Sequence, residues 1–325
     1  MLKFAIGLMS VGYAATIDNT KPRLDVDGNI MDVHDGTLIQ WNNDDQLYYW
    51  YGMGYKDCKL ESGLLPPQDC PGIYDKFGHC GFREDHAVNL FTSPDLENWT
   101  FVRDIYPTEN RQDGIYFRPK VIYNESTQEY VLWINYLAPA SSPLVSYPKA
   151  MLVVATSKSP SGPFETKTEK VDLTVTGAGD FTLLVDPKDN AGYLFYDAWG
   201  NNHKVVVEKL TDDYLNSTAQ NAVTISPSKN EAPMVLERNG WYYLMFGPTC
   251  CFCREGSGAQ VYTAPSPMGP WTDSGIDINP KTGFMKIGDR TIKAQNNYIA
   301  HLNGEYIYTA DLWTSAPDHL KSHDI

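Results

Sequence analysis

An aromatic phrase, led in most cases by a turn residue, occurs five times along this chain and constrains the fold more than any other feature. It reads QLYYWY at 46–51, EYVLW at 129–133, GYLFY at 192–196, GWYYLM at 240–245 and GEYIY at 304–308. After four of these comes a second phrase: an apolar run, a Ser-Pro or similar turn, then an aromatic residue. The four aromatics are Trp99, Phe164, Tyr214 and Trp271. Short apolar or alternating runs broken by Gly, Pro, Asn and Asp indicate strands, and helical periodicity is nearly absent. Multi-strand units recurring at a period of tens of residues are the signature of propeller blades. A β-sandwich also has short strands, but it does not repeat one phrase in one order. The expectation is an all-β chain whose residues 15–325 form a single five-bladed β-propeller. Its last blade is truncated or closes atypically, because the sequence given stops at Ile325.

In a propeller the innermost strand of each blade lines the central channel, and equivalent positions converge on the axis. Eleven to thirteen residues before a tyrosine of each phrase stands a polar residue that opens an apolar segment: Asp35, Arg118, Asp180, Glu231 and Gln295. These five are expected to occupy one structural place, at the channel mouth. Cleavage of a glycosidic bond needs a protonated acid at the leaving oxygen and a second group that activates water. Clustered carboxylates beside a cation supply both, because their neighbours push their pKa values apart. Glu231 suits the acid, since it reaches further than an aspartate and Pro233 gives its strand an extended start. Asp180 is expected to keep Glu231 in its proton-donating state. Asp35 is the expected base, with Asp32 as a substitute that otherwise contacts substrate. Arg118 and Gln295 would hold sugar hydroxyls or fix the base, and Trp199 would stack on a pyranose face.

The net charge of −14 is spread without any basic cluster, so neither nucleic acid nor an anionic membrane surface is an expected partner. Carbohydrate is. No stretch approaches the roughly 18 apolar residues of a membrane span. Residues 1–14 read as a signal peptide: Lys3, an apolar run from Phe4 to Val11, then Gly12-Tyr13-Ala14. A buried first strand is the other reading of that run. Six cysteines, at 58, 70, 80, 250, 251 and 253, fit disulfides in an oxidising compartment. Zinc ligation by Cys250, Cys251, Cys253 and His79 is less favoured, because the second cysteine group lacks a C-x2–4-C pair. Sequons at Asn98, Asn124 and Asn216 agree with secretion.

Five motifs in order resemble the family 43 glycoside hydrolases. They are Asp27–Gly36, Arg118–Asn124, Asp180–Asp186, Glu231–Val235 and Gly269–Trp271, and the likeness runs from about 25 to 313. It is strongest to the branch containing exo-β-1,3-galactanases. The resemblance implies a five-bladed propeller that hydrolyses glycosides with inversion and needs no cofactor. It puts Glu231 at the general-acid position, Asp180 at that of its pKa modulator, and Gln295 where a glutamine assists the water. Some relatives hold calcium or sodium in the channel near a histidine. His34 or His301 could serve, and no metal ligand is assigned. The chain departs from the branch at Phe117, where an acid is usual, at Asp35, where glycine is common, and at the rewritten segment Pro248–Cys253. The expected function is that of a secreted inverting glycosidase acting on a neutral polysaccharide or oligosaccharide, galactan-like or arabinan/xylan-like. The alternative is a non-catalytic propeller that binds carbohydrate or serves as an extracellular interaction module.

Overall fold

The computed structural model describes residues 23–41, 45–54, 86–138, 150–249, 256–282 and 290–311, together with 19 and 21. The expected leader and all six cysteines lie outside these residues, and with them the disulfide and zinc readings. Four antiparallel four-stranded sheets follow one another along the chain. The first joins β1 (His34–Gln40), β2 (Tyr48–Met53), β3 (Val88–Ser93) and β4 (Thr100–Asp104). The second joins β5 (Ile115–Asn124), β6 (Glu129–Leu137), β7 (Met151–Ser157) and β8 (Glu165–Thr168). In the third are β9 (Ala178–Val185), β10 (Gly192–Ala198), β11 (Lys204–Lys209) and β12 (Val223–Thr224), and in the fourth β13 (Asn230–Arg238), β14 (Trp241–Pro248), β15 (Gln260–Ala264) and β16 (Thr272–Asp277). β17 (Gln295–Leu302) and β18 (Glu305–Asp311) form a two-stranded sheet. Each sheet is built in chain order from hairpin neighbours, and the chain is an all-β propeller.

The first strands β1, β5, β9, β13 and β17 neighbour one another in cyclic order, β17 lying against both β13 and β1. Each aromatic phrase falls on the second strand of its sheet, which has a neighbour on both faces. That position explains why the phrase is continuously apolar where a half-exposed strand would alternate. On β2, Tyr49 and Tyr51 join Leu132, Ile134 and Val153 of the second sheet. Tyr48 and Trp50 point the other way, onto Ala300 and Leu302 of β17. On β10, Leu194 and Tyr196 pack on Val131 and Trp133, while Tyr193 and Phe195 pack on Val235 and Leu244. Burying a ring or branched chain of this kind contributes roughly 1.5–3 kcal/mol. The propeller is therefore held by apolar seams between sheets. The closing aromatics of the second phrase belong to them: Trp99, Phe164 and Tyr214 are buried, and Trp271 meets Phe195 edge-on at 5.8 Å.

One polar group is sunk in a seam. Glu208 on β11 is fully buried and accepts from Tyr196 Oη (2.6 Å), Ser217 Oγ (2.5 Å) and the Thr174 amide (3.0 Å). It ties the second and third strands of its sheet to the loop that precedes β9. Glu208→Ala strands three donors and is expected to cost about 3 kcal/mol, read as a lower midpoint in urea unfolding. Glu208→Gln, which keeps one acceptor oxygen, should lose less.

The sequons divide. Asn98 is exposed, but Asn124 is buried, donating to the Asp212 carbonyl and accepting from the Ser126 amide and hydroxyl. The folded protein leaves Asn124 no room for a glycan, which corrects its reading as a glycosylation site.

Candidate active site

Each first strand carries one extra residue near its start relative to its partner strand. The irregularity lies between His34 and Thr37 in β1, Phe117 and Lys120 in β5, and Glu231 and Met234 in β13. In β9 it falls between Ala178 and Phe181, and in β17 between Asn296 and Tyr298. These are β-bulges, which bend a strand and re-aim its side chains. Asp35 (φ 55°), Arg118 (φ 54°) and Ala232 (φ 54°) occupy them in left-handed backbone, a conformation that costs of order 1 kcal/mol for a residue with a Cβ. Gly36 follows Asp35 because a Cβ there would fall 1.5 Å from the Tyr51 carbonyl oxygen.

The bulges correct the expectation that the five polar residues share one structural place. Glu231 is the last paired residue before its bulge, Asp35 and Arg118 are bulge residues, and Asp180 is the last residue before pairing resumes at Phe181. Gln295 is paired with Asp311, ahead of the β17 bulge. The five nonetheless converge. Arg118 Nε donates to Asp180 Oδ1 at 2.6 Å, and its Nη2 lies 3.3 Å from Asp35 Oδ1. Gln295 Nε2 is shared between Glu231 Oε1 (2.8 Å) and Asp180 Oδ2 (3.2 Å). One connected path therefore runs from Asp35 through Arg118, Asp180 and Gln295 to Glu231. All five are buried, with Asp180 the most open at 8% exposure.

Charge is distributed unevenly along this path. Burial works to raise the Asp35 carboxyl, but Arg118, then His34, outweigh it, and the group titrates below the ordinary carboxylate range. Burial prevails at Asp180, which is raised although Arg118 opposes the shift. Two carboxylates on one guanidinium are thus driven in opposite directions.

Lys120, which the sequence reading passed over, supports the floor of the site. Its Nζ donates to the carbonyls of Asp35 (3.0 Å) and Gly36 (2.8 Å) and to Asn297 Oδ1 (2.5 Å), so three N–H groups meet three acceptors on β1 and β17. Burial, then the neighbouring Arg118, lower its pKa to about 7. Asn135 on β6 holds the Asp180 bulge from the other side, donating to the carbonyls of Ala178 (3.1 Å) and Gly179 (3.0 Å).

Asp311, also missed, ends β18 beside the ring. Its Oδ1 accepts from the Asp35 amide at 3.0 Å, and burial, then the charge of Asp35, raise it well above the ordinary range. His34 stands between the two, Nε2 3.4 Å from Asp35 and Nδ1 3.4 Å from Asp311. His34, Asp35 and Asp311 can each offer a ligand atom, all within 4.8 Å of one another. The two carboxylates offer the oxygen ligands that a hard cation takes, with the imidazole as a nitrogen donor beside them, and these residues would hold the channel ion that some relatives carry. His301, the other histidine considered, is exposed and stacks on Tyr306 at 4.5 Å.

Of the remaining expected residues, Asp32 is half-buried just ahead of β1, and its carbonyl accepts from Asn89 Nδ2 at 2.7 Å. Trp199 follows β10 in a single 3-10 turn, Trp199–Asn201. Trp199 and Phe117 pack, partly buried, on the apolar cluster of Met53, Ile115, Leu137 and Ala150. The aromatic at 117, in place of an acid, joins this apolar patch next to Arg118.

A propeller that assembles carboxylates, a guanidinium and an amide on bulged first strands, with aromatics alongside, is of the glycoside-hydrolase kind. The chain belongs to the glycosyl hydrolases family 43, whose family model matches residues 74–314. It is similar to the β-D-galactofuranosidase of Aspergillus niger, 28% identical over 210 residues, which are 59% of this chain and 57% of that protein. Among solved structures, the exo-β-1,3-galactanase of Phanerochaete chrysosporium in complex with β-1,3-galactotriose is 25% identical, with a TM-score of 0.71 over 94% of this chain and 62% of that one. A family 43 β-1,3-galactosidase bound to galactodeoxynojirimycin shares the fold at 24% identity and a TM-score of 0.72, covering 94% of this chain and 92% of that one. The chain thus spans about six-tenths of the length of the first two.

Proposed function

We propose that the chain is a secreted, inverting glycosidase acting on a β-linked galactan-like oligosaccharide or polysaccharide. The observation that carries this reading is the buried path Arg118–Asp180–Gln295–Glu231. It gives the family's acid position a fixed donor and ties that donor to an acid whose own proton affinity is raised. The galactose-directed relatives support the sugar, and the fifth aromatic phrase on β18 supports reading the two-stranded sheet as the inner half of a fifth blade.

In this mechanism Glu231 gives its proton to the glycosidic oxygen as the bond to the anomeric carbon breaks. A water on the opposite face attacks that carbon and surrenders its proton to Asp35, which Arg118 and His34 keep ionised. Asp180, turned toward Gln295 and Glu231, disfavours a second negative charge beside it and so keeps Glu231 protonated until the leaving group needs the proton. Released sugar therefore carries the opposite anomeric configuration.

A panel of arabino-, xylo- and galacto-oligosaccharides tests the substrate, with the first-formed anomer read by proton NMR. Release of α-galactose from β-1,3-galactotriose is expected. A β-anomer would remove the inverting mechanism, and saturable binding without turnover would favour a carbohydrate-binding propeller. The base has its own test. Asp35→Asn is expected to lower kcat by about 10²–10⁴, and Asp32→Asn to change it little. The reverse result assigns the base to Asp32.

A further inference from the structure

Beside Asp180 lies a second acid that the mechanism above does not use. Asp197 is on β10 where that strand passes the β9 bulge, and it is buried to 1% exposure. Its Oδ2 accepts from Trp199 Nε1 at 3.0 Å and pairs with His203 Nδ1 at 2.9 Å. The imidazole of His203 is itself 38% exposed. Two successive residues, Asn202 (φ 55°) and His203 (φ 54°), adopt left-handed backbone in the turn that brings the ring back to Asp197. Consecutive left-handed residues with side chains are costly and persist where the surroundings enforce them.

Asp197 and Trp199 press on the backbone that carries Asp180. A Cβ on Gly179 would fall 2.2 Å from Trp199 Nε1 and 2.6 Å from Asp197 Oδ2. The residue preceding Asp180 must therefore be glycine for the indole edge and the carboxylate to close on the bulge. Asn135 tethers the same Gly179 carbonyl, so the bulge is clamped from two sides.

We propose that Asp197 is a positioning residue of the active site: it holds Trp199 against the Asp180 bulge and draws the imidazolium of His203 behind Asp180 as a compensating charge. The proposal rests on the glycosidase reading. The groups facing Asp197 are His203, on the turn into β11, and Asp180 on β9, itself bound to Arg118. Burial raises Asp197 to about 6 against the opposing pull of His203 and Trp199, and the hydrogen bond to Asp197 raises His203. The charged pair thus exists above about 6 and ends where His203 loses its proton.

The test uses Asp197→Ala, Trp199→Phe and His203→Gln, with kcat and KM measured against pH on the best substrate of the panel and thermal melting in parallel. Asp197→Ala is expected to lower kcat/KM about 10²-fold, part of it as a raised KM. Trp199→Phe keeps an aromatic ring but loses the N–H, and should reproduce the KM part. His203→Gln should remove one ionisation from the alkaline side of the kcat/KM profile. Wild-type kinetics and pH profile in Asp197→Ala and His203→Gln would overturn the proposal. So would a loss in Asp197→Ala that merely follows its unfolded fraction, with kinetics per folded molecule intact. Full turnover by Glu231→Gln would instead remove the assigned acid, and the Asp197 result would still be read from its own KM and pH profile.

Discussion

Glu231→Gln is expected to melt like the parent protein and to hydrolyse unactivated oligosaccharide about 10³-fold more slowly or worse, within the range that a positioned acid supplies. The substitution is nearly isosteric, and the new amide oxygen can still accept from Gln295 Nε2, which lies 2.8 Å from Glu231 Oε1. What disappears is the transferable proton. The size of the defect should therefore follow the leaving group. A dinitrophenyl glycoside, whose phenolate departs without protonation, should recover much of its rate, while a galactosyl leaving group should not. An equal loss on both substrates would mean that Glu231 acts in binding or in shaping the site. Unchanged turnover on both would sink its assignment as the acid.

The second large effect falls on stability. Arg118→Met removes a buried guanidinium that stands 2.6 Å from Asp180 and 3.3 Å from Asp35 and also donates to the Asn296 carbonyl at 3.3 Å. Two carboxylates then share a buried site without their nearest counter-charge, at a cost of about 3–5 kcal/mol. The pH dependence has a definite sign. The Asp35 carboxyl is lowered in the folded protein, so its contribution is present above the ordinary carboxylate value and is lost as pH falls through the lowered one. Arg118 is the largest of the groups that lower it, ahead of His34, so without Arg118 most of that contribution goes too. The gap between parent and variant should be widest near neutral pH and shrink below about pH 4. Urea unfolding at pH 7 and pH 3.5 measures it. A gap that stays constant would show that Arg118 matters through packing alone.

The blades were legible because the second strands of the four-stranded sheets are buried on both faces, which writes an aromatic run into the sequence. Tyr48-Tyr49-Trp50-Tyr51 serves two seams at once, and no amphipathic period survives to confuse it with a helix. Convergence of Asp35, Arg118, Asp180, Glu231 and Gln295 was legible for a related reason, since strand starts meet at one end of a ring. The bulges were not. An inserted residue changes no residue type in a regular way, so counting back from the aromatic phrase puts four different registers in one column, only Asp35 and Arg118 sharing one. Lys120, Asp311 and His203 were hidden differently. Each works through a partner on another strand or turn, and a lysine inside a strand or an acid at a strand's end is ordinary until the partner is seen. Asn124 shows the opposite error, a legible triplet whose asparagine is committed to the Asp212 carbonyl and the Ser126 turn.

The extra residue at the head of each first strand also bears on how such a protein can diversify. Pairing resumes in register at Thr37, Lys120, Phe181, Met234 and Tyr298, beyond the inserted stretch. Asp35, Arg118 and Asp180 therefore stand outside the ladder, while Glu231 and Gln295 are paired at its near edge. Apart from Gly36 and Gly179, which close contacts fix as glycine, residues can be traded there without resetting the seams between sheets, and a lineage can change the bond it attacks while inheriting its scaffold whole.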